Sequence, residues 1–166
     1  VIFETERLVA REWTLDDTEA AYGIYRDPEV VRFLGRVPVP VESVDAMRAR
    51  VERWIAGNDA LRGTGYGFWA LATHDGTLVG ATLLKPLPDA TEVEVGWHLG
   101  SAHWGRGYAT EGARGALAYG FSALGLDVVY AVVVAENAAS LAVARRLGMT
   151  YEGSTDRYYD RSLELF

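Results

Sequence analysis

The segment that most constrains this chain runs from Glu92 to Arg114, EVEVGWHLGSAHWGRGYATEGAR. Val93 to Leu99 alternates like a strand with one buried face. Trp104-Gly105-Arg106-Gly107-Tyr108-Ala109 then opens directly into a helical pattern, with Ala113, Leu117, Phe121 and Leu124 on one face and Gly125 as its stop. The first N–H groups of a helix lack an internal partner, and the helix dipole adds roughly half a positive charge there. Glycines let successive N–H groups turn inward and come close to a ligand. A strand, a glycine loop and a helix start in this order predict an anion cradle, and a phosphate-bearing ligand is the anion to expect.

Around this unit the sequence predicts one α/β domain spanning residues 1–166. Arg7 to Trp13 alternates as a first strand. Thr14, and then Asp27-Pro28-Glu29, carry the start signals of two helices, and Val44, Met47, Val51, Trp54 and Ile55 mark a third. Strands follow over Tyr66 to Thr73, Leu78 to Lys85 and Glu92 to Leu99. Asp75-Gly76 makes the first hairpin, and a second turn falls near Asp89. Asp127 to Ala135 holds the run VVYAVVV, which reads as a parallel strand buried on both faces. A helix from Asn137 to Leu147 stops at Gly148, and strands at Met149 to Glu152 and Ser162 to Phe166 complete the set. The expected architecture is a mixed, mostly antiparallel sheet with helices on its faces.

Composition narrows the ligands. The net charge of −7 opposes broad nucleic-acid binding and mildly favours cationic small molecules or basic peptide ends. Absence of cysteine excludes disulfides and thiolate metal sites and suits the cytoplasm. No apolar run approaches the roughly 18 residues of a membrane span. The opening VIFETERL lacks the form of a signal peptide and an initiator Met, so a few residues are expected to be missing there.

Two commoner glycine motifs fail here. A dinucleotide fingerprint ends in Gly or Ala and belongs to a first βα turn, whereas Gly105-Arg106-Gly107-Tyr108-Ala109-Thr110 ends in Thr and follows three antiparallel strands. A P-loop needs Gly-Lys-Ser/Thr, which is absent. The loop instead resembles the Gln/Arg-x-x-Gly-x-Gly/Ala signature of the GCN5-related N-acetyltransferases (GNAT), with Trp104 at the first position. Further blocks are similar to the ribosomal-protein N-terminal acetyltransferase branch (RimJ/RimL-like). These are Glu4-Thr5-Glu6-Arg7-Leu8, Asp27-Pro28-Glu29-Val30, Val93-Glu94-Val95-Gly96-Trp97-His98-Leu99, the loop through Glu111, and Asn137-x-x-Ser140 before Leu147-Gly148-Met149.

The resemblance implies a GNAT-like sheet with a splayed parallel strand pair, acetyl-CoA as cosubstrate and no metal. It implies an amine acceptor, either a protein N-terminus or a small molecule, and a monomer or homodimer. Backbone groups of Trp97, His98 and Leu99, together with Asn137, would hold the pantetheine arm. Arg106, Gly107, Tyr108, Ala109 and Thr110 would hold the pyrophosphate. Ser140 would serve the leaving thiolate, as an alternative to a plain helix-capping hydroxyl. Glu94 is the candidate base, as an alternative to a strand carboxylate paired with a neighbouring cation. Tyr158 and Tyr159 fall on the acceptor side. His98 and His103 fit no zinc spacing, and a solvated or backbone contact is the expectation for each. Trp13, Tyr22, Phe33, Trp54, Tyr66 and Trp69 read mostly as core, with a few walling the acceptor pocket near Gly63 to Gly67. The competing function is an acyl-CoA-binding module without turnover.

Overall fold

A computed structural model describes residues 1–35 and 37–166. The chain begins with a hairpin, β1 (Phe3–Glu4) and β2 (Leu8–Arg11), where the sequence led us to expect one strand. Thr5 N–H donates to the Leu8 carbonyl at 2.8 Å and makes the turn. A 3-10 turn at Leu15–Asp17 leads into α1 (Thr18–Tyr25). Then come α2 (Pro28–Val31), α3 (Val44–Ala60), β3 (Gly67–Thr73), β4 (Leu78–Pro86), β5 (Val93–Leu99), α4 (Tyr108–Ala123), β6 (Val132–Val133), α5 (Ala138–Arg146), β7 (Gly153–Thr155) and β8 (Leu163–Leu165). Two of the helices, α2 and α3, start from a polar side chain in extended backbone. Asp27 accepts the Glu29 N–H at 3.0 Å, with Pro28 filling the first helical position. Ser43 accepts the Ala46 N–H at 3.1 Å.

The strands form a five-stranded antiparallel sheet, β1-β2-β3-β4-β5, and a three-stranded sheet, β6-β8-β7. Helices α1, α2 and α3 pack on one face of the larger sheet around Tyr25, Val31, Met47 and Val51. Helices α4 and α5 cover the other around Trp69, Leu84, Val93 and Val95. This is the expected mixed α/β fold with helices on both faces.

Two expectations are corrected. The last-but-one strand forms at Gly153–Thr155 rather than Met149 to Glu152. There Gly153, at φ 103°, starts the register with Leu165. The run from Asp127 to Ala135 is not a long strand buried on both faces. Val129, Ala131 and Val133 are buried, but Tyr130, Val132 and Val134 are only half-buried, and Val132 and Val134 line a cleft. Among the described residues, a single parallel bridge, Glu94 with Tyr130, joins the two sheets. Among the described residues, no helix is long and apolar enough to cross a membrane.

Candidate active site

The cleft begins where that bridge ends. Val95 N–H donates to the Tyr130 carbonyl and Tyr130 N–H donates to the Val93 carbonyl, each at 2.8 Å. One residue later the second strand turns away, and Ala131 and Phe166 exchange both of their hydrogen bonds at 2.9 Å. Successive strand residues direct their N–H and C=O groups to alternate edges. The Val95 carbonyl, both groups of Trp97 and the Leu99 N–H therefore face the gap, opposite Val132. The main chain of His98 faces β4, where it pairs with Ala81, and the Leu99 carbonyl accepts a bond from Trp104 Nε1 at 3.0 Å. The resulting cleft has a volume of about 800 Å3.

Five of the sequence-predicted residues, Glu94, Trp97, His98, Asn137 and Ser140, line this one cleft. Asn137 caps α5, its Oδ1 accepting the Ser140 N–H at 3.2 Å, so the Ser140 hydroxyl is not the cap. Trp97 Nε1 instead donates to Ser140 Oγ at 3.2 Å. An indole N–H can only donate, so Oγ accepts and its own proton is left to donate into the cleft.

Glu94 is only 5% exposed, and the Tyr159 hydroxyl donates to its carboxylate. Burial raises the Glu94 pKa, against the opposing pulls of the Tyr159 hydrogen bond and the charge of Lys85, its cross-strand neighbour. Burial and the adjoining carboxylate push the Tyr159 phenol up as well, so it keeps its proton. Tyr159 and Asp160 sit at φ 58° and 51°, consecutive left-handed positions that non-glycine residues rarely adopt, and such backbone clusters at functional sites. Tyr158 is buried under the same loop, its hydroxyl directed to Glu92 at 3.4 Å rather than into the cleft.

Leu99, Arg106, Gly107, Tyr108, Ala109 and Thr110 do not line the cleft; the loop lies beyond the Leu99 end of β5. Gly107 caps α4 at φ 79°, and the first helical bond is Glu111 N–H to the Gly107 carbonyl at 3.0 Å. The amides of Tyr108, Ala109 and Thr110 therefore precede the ladder, as an anion cradle requires.

The loop is held by residues to which the sequence reading gave no role. Arg7 donates to the Arg106 carbonyl at 2.9 Å and pairs with Glu111 at 2.6 Å, and its guanidinium lies 4.8 Å from the centre of the Tyr108 ring. Thr5 Oγ1 donates to Glu111 at 2.7 Å. Burial pushes the Glu111 carboxyl up, but the bonds from Thr5 and Arg7 outweigh it and hold the group below its ordinary range. Their only trace in the sequence is the resembled block that contains both Thr5 and Arg7.

The two histidines depart from expectation. His98 Nδ1 lies 3.1 Å from the hydroxyl of Tyr25, which is 1% exposed, so its partner is a core side chain rather than solvent or backbone. His103 has a buried Nδ1 with no partner among the described residues. Phe33, expected in the core, walls the cleft with Phe68 and with Trp54, which also packs on the core as expected, beside Arg53, Lys85 and Arg161. Arg161 donates to the Gly35 carbonyl at 2.8 Å, across the mouth of the cleft. Among the described residues, no cluster of three or more His, Asp or Glu comes together that could hold a metal.

Comparisons with known proteins give this geometry a family. The model of the acetyltransferase (GNAT) domain matches residues 7–150. An uncharacterized N-acetyltransferase, YoaA of Bacillus subtilis, is 31% identical over 95% of this chain and 87% of its own. The FsC-acetyl coenzyme A-N(2)-transacetylase of Aspergillus fumigatus is 32% identical over 81% of this chain and 58% of its own. The crystal structure of an acetyltransferase from Agrobacterium tumefaciens superposes with a TM-score of 0.78 at 25% identity, covering 98% of this chain and 92% of that one. The chain belongs to the GNAT family and is an acetyl-CoA-dependent acetyltransferase.

Proposed function

We propose that this chain, as one domain over residues 1–166, transfers the acetyl group of acetyl-CoA to a primary amine by direct attack in a ternary complex. The observation that carries this is the splay after the Glu94–Tyr130 bridge, which leaves strand-edge groups of Val95, Trp97 and Val132 facing the cleft that holds Ser140 and Glu94. Those edge groups fit an amide-bearing arm laid between the strands, as a further strand would lie. The amides of Tyr108, Ala109 and Thr110, with the Arg106–Gly107 turn, fit its pyrophosphate. Bound acetyl-CoA supplies an activated acyl thioester.

Protein groups do the rest. Glu94, buried and raised in pKa, takes the proton that an ammonium must lose before it can attack. Tyr159 holds that carboxylate until the acceptor arrives. Ser140, anchored through Oγ by Trp97, donates its proton to the leaving sulfur and regains one from the acylated nitrogen, which must shed its second proton. The Asn137 cap fixes the first turn of α5 and with it Ser140. Orientation by these walls replaces covalent catalysis, since holding two reactants in line is worth on the order of 7–11 kcal/mol.

The acceptor is a protein N-terminus or a small-molecule amine, and the sequence blocks around Arg7, Asp27 and Asn137 favour the ribosomal-protein N-terminal acetyltransferase branch. The cysteine-free composition suits the cytoplasm, and the resembled branch implies a monomer or homodimer. The test is free-thiol release from acetyl-CoA across a panel of peptide N-termini and small amines. Turnover with any of them supports transfer. Tight coenzyme binding without turnover across the whole panel would leave a binding module in its place.

A further inference from the structure

The cleft face of β5 carries Glu94, Gly96 and His98, because alternate strand residues share a face. At Gly96 a Cβ would come 3.0 Å from Leu83 Cγ, so the floor between the two titratable side chains is the apolar Leu83 side chain packed against the glycine. Glu94 and His98 flank that floor, each about 6–7 Å away along the strand. An amine poised over Gly96 has Glu94 on one side and His98 on the other. The reaction proposed above uses Glu94 and gives the His98 ring no task.

The chemistry of that ring is set by its partner. Tyr25 is buried and its pKa is raised by burial, so its hydroxyl keeps its proton and needs an acceptor. His98 Nδ1, at 3.1 Å, is the acceptor within reach. With Nδ1 accepting, the ring proton resides on Nε2. Burial first, then the charges of Lys85 and Arg50, lower the His98 pKa to about 4, so the ring is neutral at pH 7. Its Nδ1 edge faces buried Tyr25 while the residue lines the cleft, so the edge presented to an acceptor is the Nε2–H. This is an uncharged donor of fixed direction beside the apolar floor.

We propose that His98, held in its Nε2–H tautomer by Tyr25, reads the acceptor by donating a hydrogen bond to an oxygen adjacent to the reacting amine. The preferred acceptors therefore carry a carbonyl or carboxylate oxygen beside the amine, and polyamines, which have none, are poor substrates. The charges agree. Arg53, Lys85 and Arg161 line the cleft against Glu94 and Asp160, and Glu94 is already engaged by Tyr159. The assignment rests on the acetyl-transfer reading, and Tyr25 acts in it as a positioning residue.

Two measurements on the full chain test it. Nitrogen-15 NMR of the imidazole should show the Nε2–H tautomer in the wild type and a loss of that single tautomer in Tyr25→Phe; an Nδ1–H tautomer in the wild type overturns the proposal. With rates expressed per free-base amine, because an amine beside a carbonyl has the lower pKa, thiol release should give kcat/KM about tenfold higher for phenylalaninamide than for phenethylamine, which lacks the carboxamide, and spermidine should be the poorest. That ratio should fall to about one in His98→Phe, chiefly through KM. It should do the same in His98→Phe/Tyr25→Phe, which leaves no unpaired hydroxyl in the core. Phenylalanine itself separates the two oxygen chemistries: a further gain over the amide marks a carboxylate reader, and equal or lower activity marks a carbonyl reader. Turnover with an unchanged ratio in both variants defeats the His98 assignment alone. Absence of turnover with every amine defeats the acetyl-transfer reading, and the acceptor assignment with it.

Discussion

Along Trp97 and Val132 the cleft is walled by main chain, whereas around Glu94 and His98 it is walled by side chains brought from distant parts of the sequence. The first wall is a consequence of two strands that part after one bridge, and its hydrogen-bonding groups are the same whatever side chains the strands carry. The second wall depends on identities: Tyr25 meeting His98, Tyr159 meeting Glu94, and Arg161 reaching Gly35. A ligand common to many proteins can be held by geometry alone. A choice among amines needs particular side chains, and these are carried on loops and on helices of the opposite face.

The comparison can be broken by variants that ought to act on one wall only. The largest effect is expected at Gly107→Val. A β-branched residue at φ 79° is strained whatever the space around it. Acetyl-CoA affinity by calorimetry should fall about 100-fold, equally for every amine, while circular dichroism stays unchanged; unaltered affinity would remove the cradle. Ser140→Ala should lower kcat by about 100-fold, the size of a lost proton donor, with acetyl-CoA affinity kept. An unchanged kcat would reduce Ser140 to a partner for Trp97.

Glu94→Gln crosses to the other wall. The buried carboxyl has a raised pKa, and its ionised form is the base, so wild-type activity should rise with pH through that pKa. The variant should lose about tenfold in kcat at pH 7, and its rising limb should move up toward the pKa of the amine itself. A limb that stays in place shows that the proton leaves by another route. The smallest effect is expected from Arg53→Ala, on the exposed rim: a change of a few-fold in KM that differs between anionic and cationic amines, with the KM for acetyl-CoA untouched. An equal change for all amines would erase the distinction between the walls.

This division also explains what could be read from the sequence. Val93 to Leu99, the glycine loop and α4 were legible because strand alternation, positive-φ glycines and helix periodicity are local signals, and Asn137 with Ser140 share one helical turn. Thr5 and Arg7 were visible only as a block of letters. Their purpose lies at Glu111, 106 and 104 residues away, where no local pattern records it. The extent of the strand through Val132 is not legible, because an apolar residue facing a cleft has the same composition as one facing a core. Tyr25 illustrates the limit most clearly: a tyrosine on an amphipathic helix carries no mark of the histidine 73 residues later that it orients.

The single bridge between Glu94 and Tyr130 has one more consequence. A strand edge with unpaired N–H and C=O groups is a template for unwanted pairing with other chains, and proteins ordinarily blunt or cover it. Here the bare stretches of β5 and β6 face each other across the cleft, which α5 and the loop that carries Tyr159 also line, so each edge looks into the fold rather than outward from it. The fold keeps sticky main chain without inviting aggregation, because each exposed edge is guarded by the other.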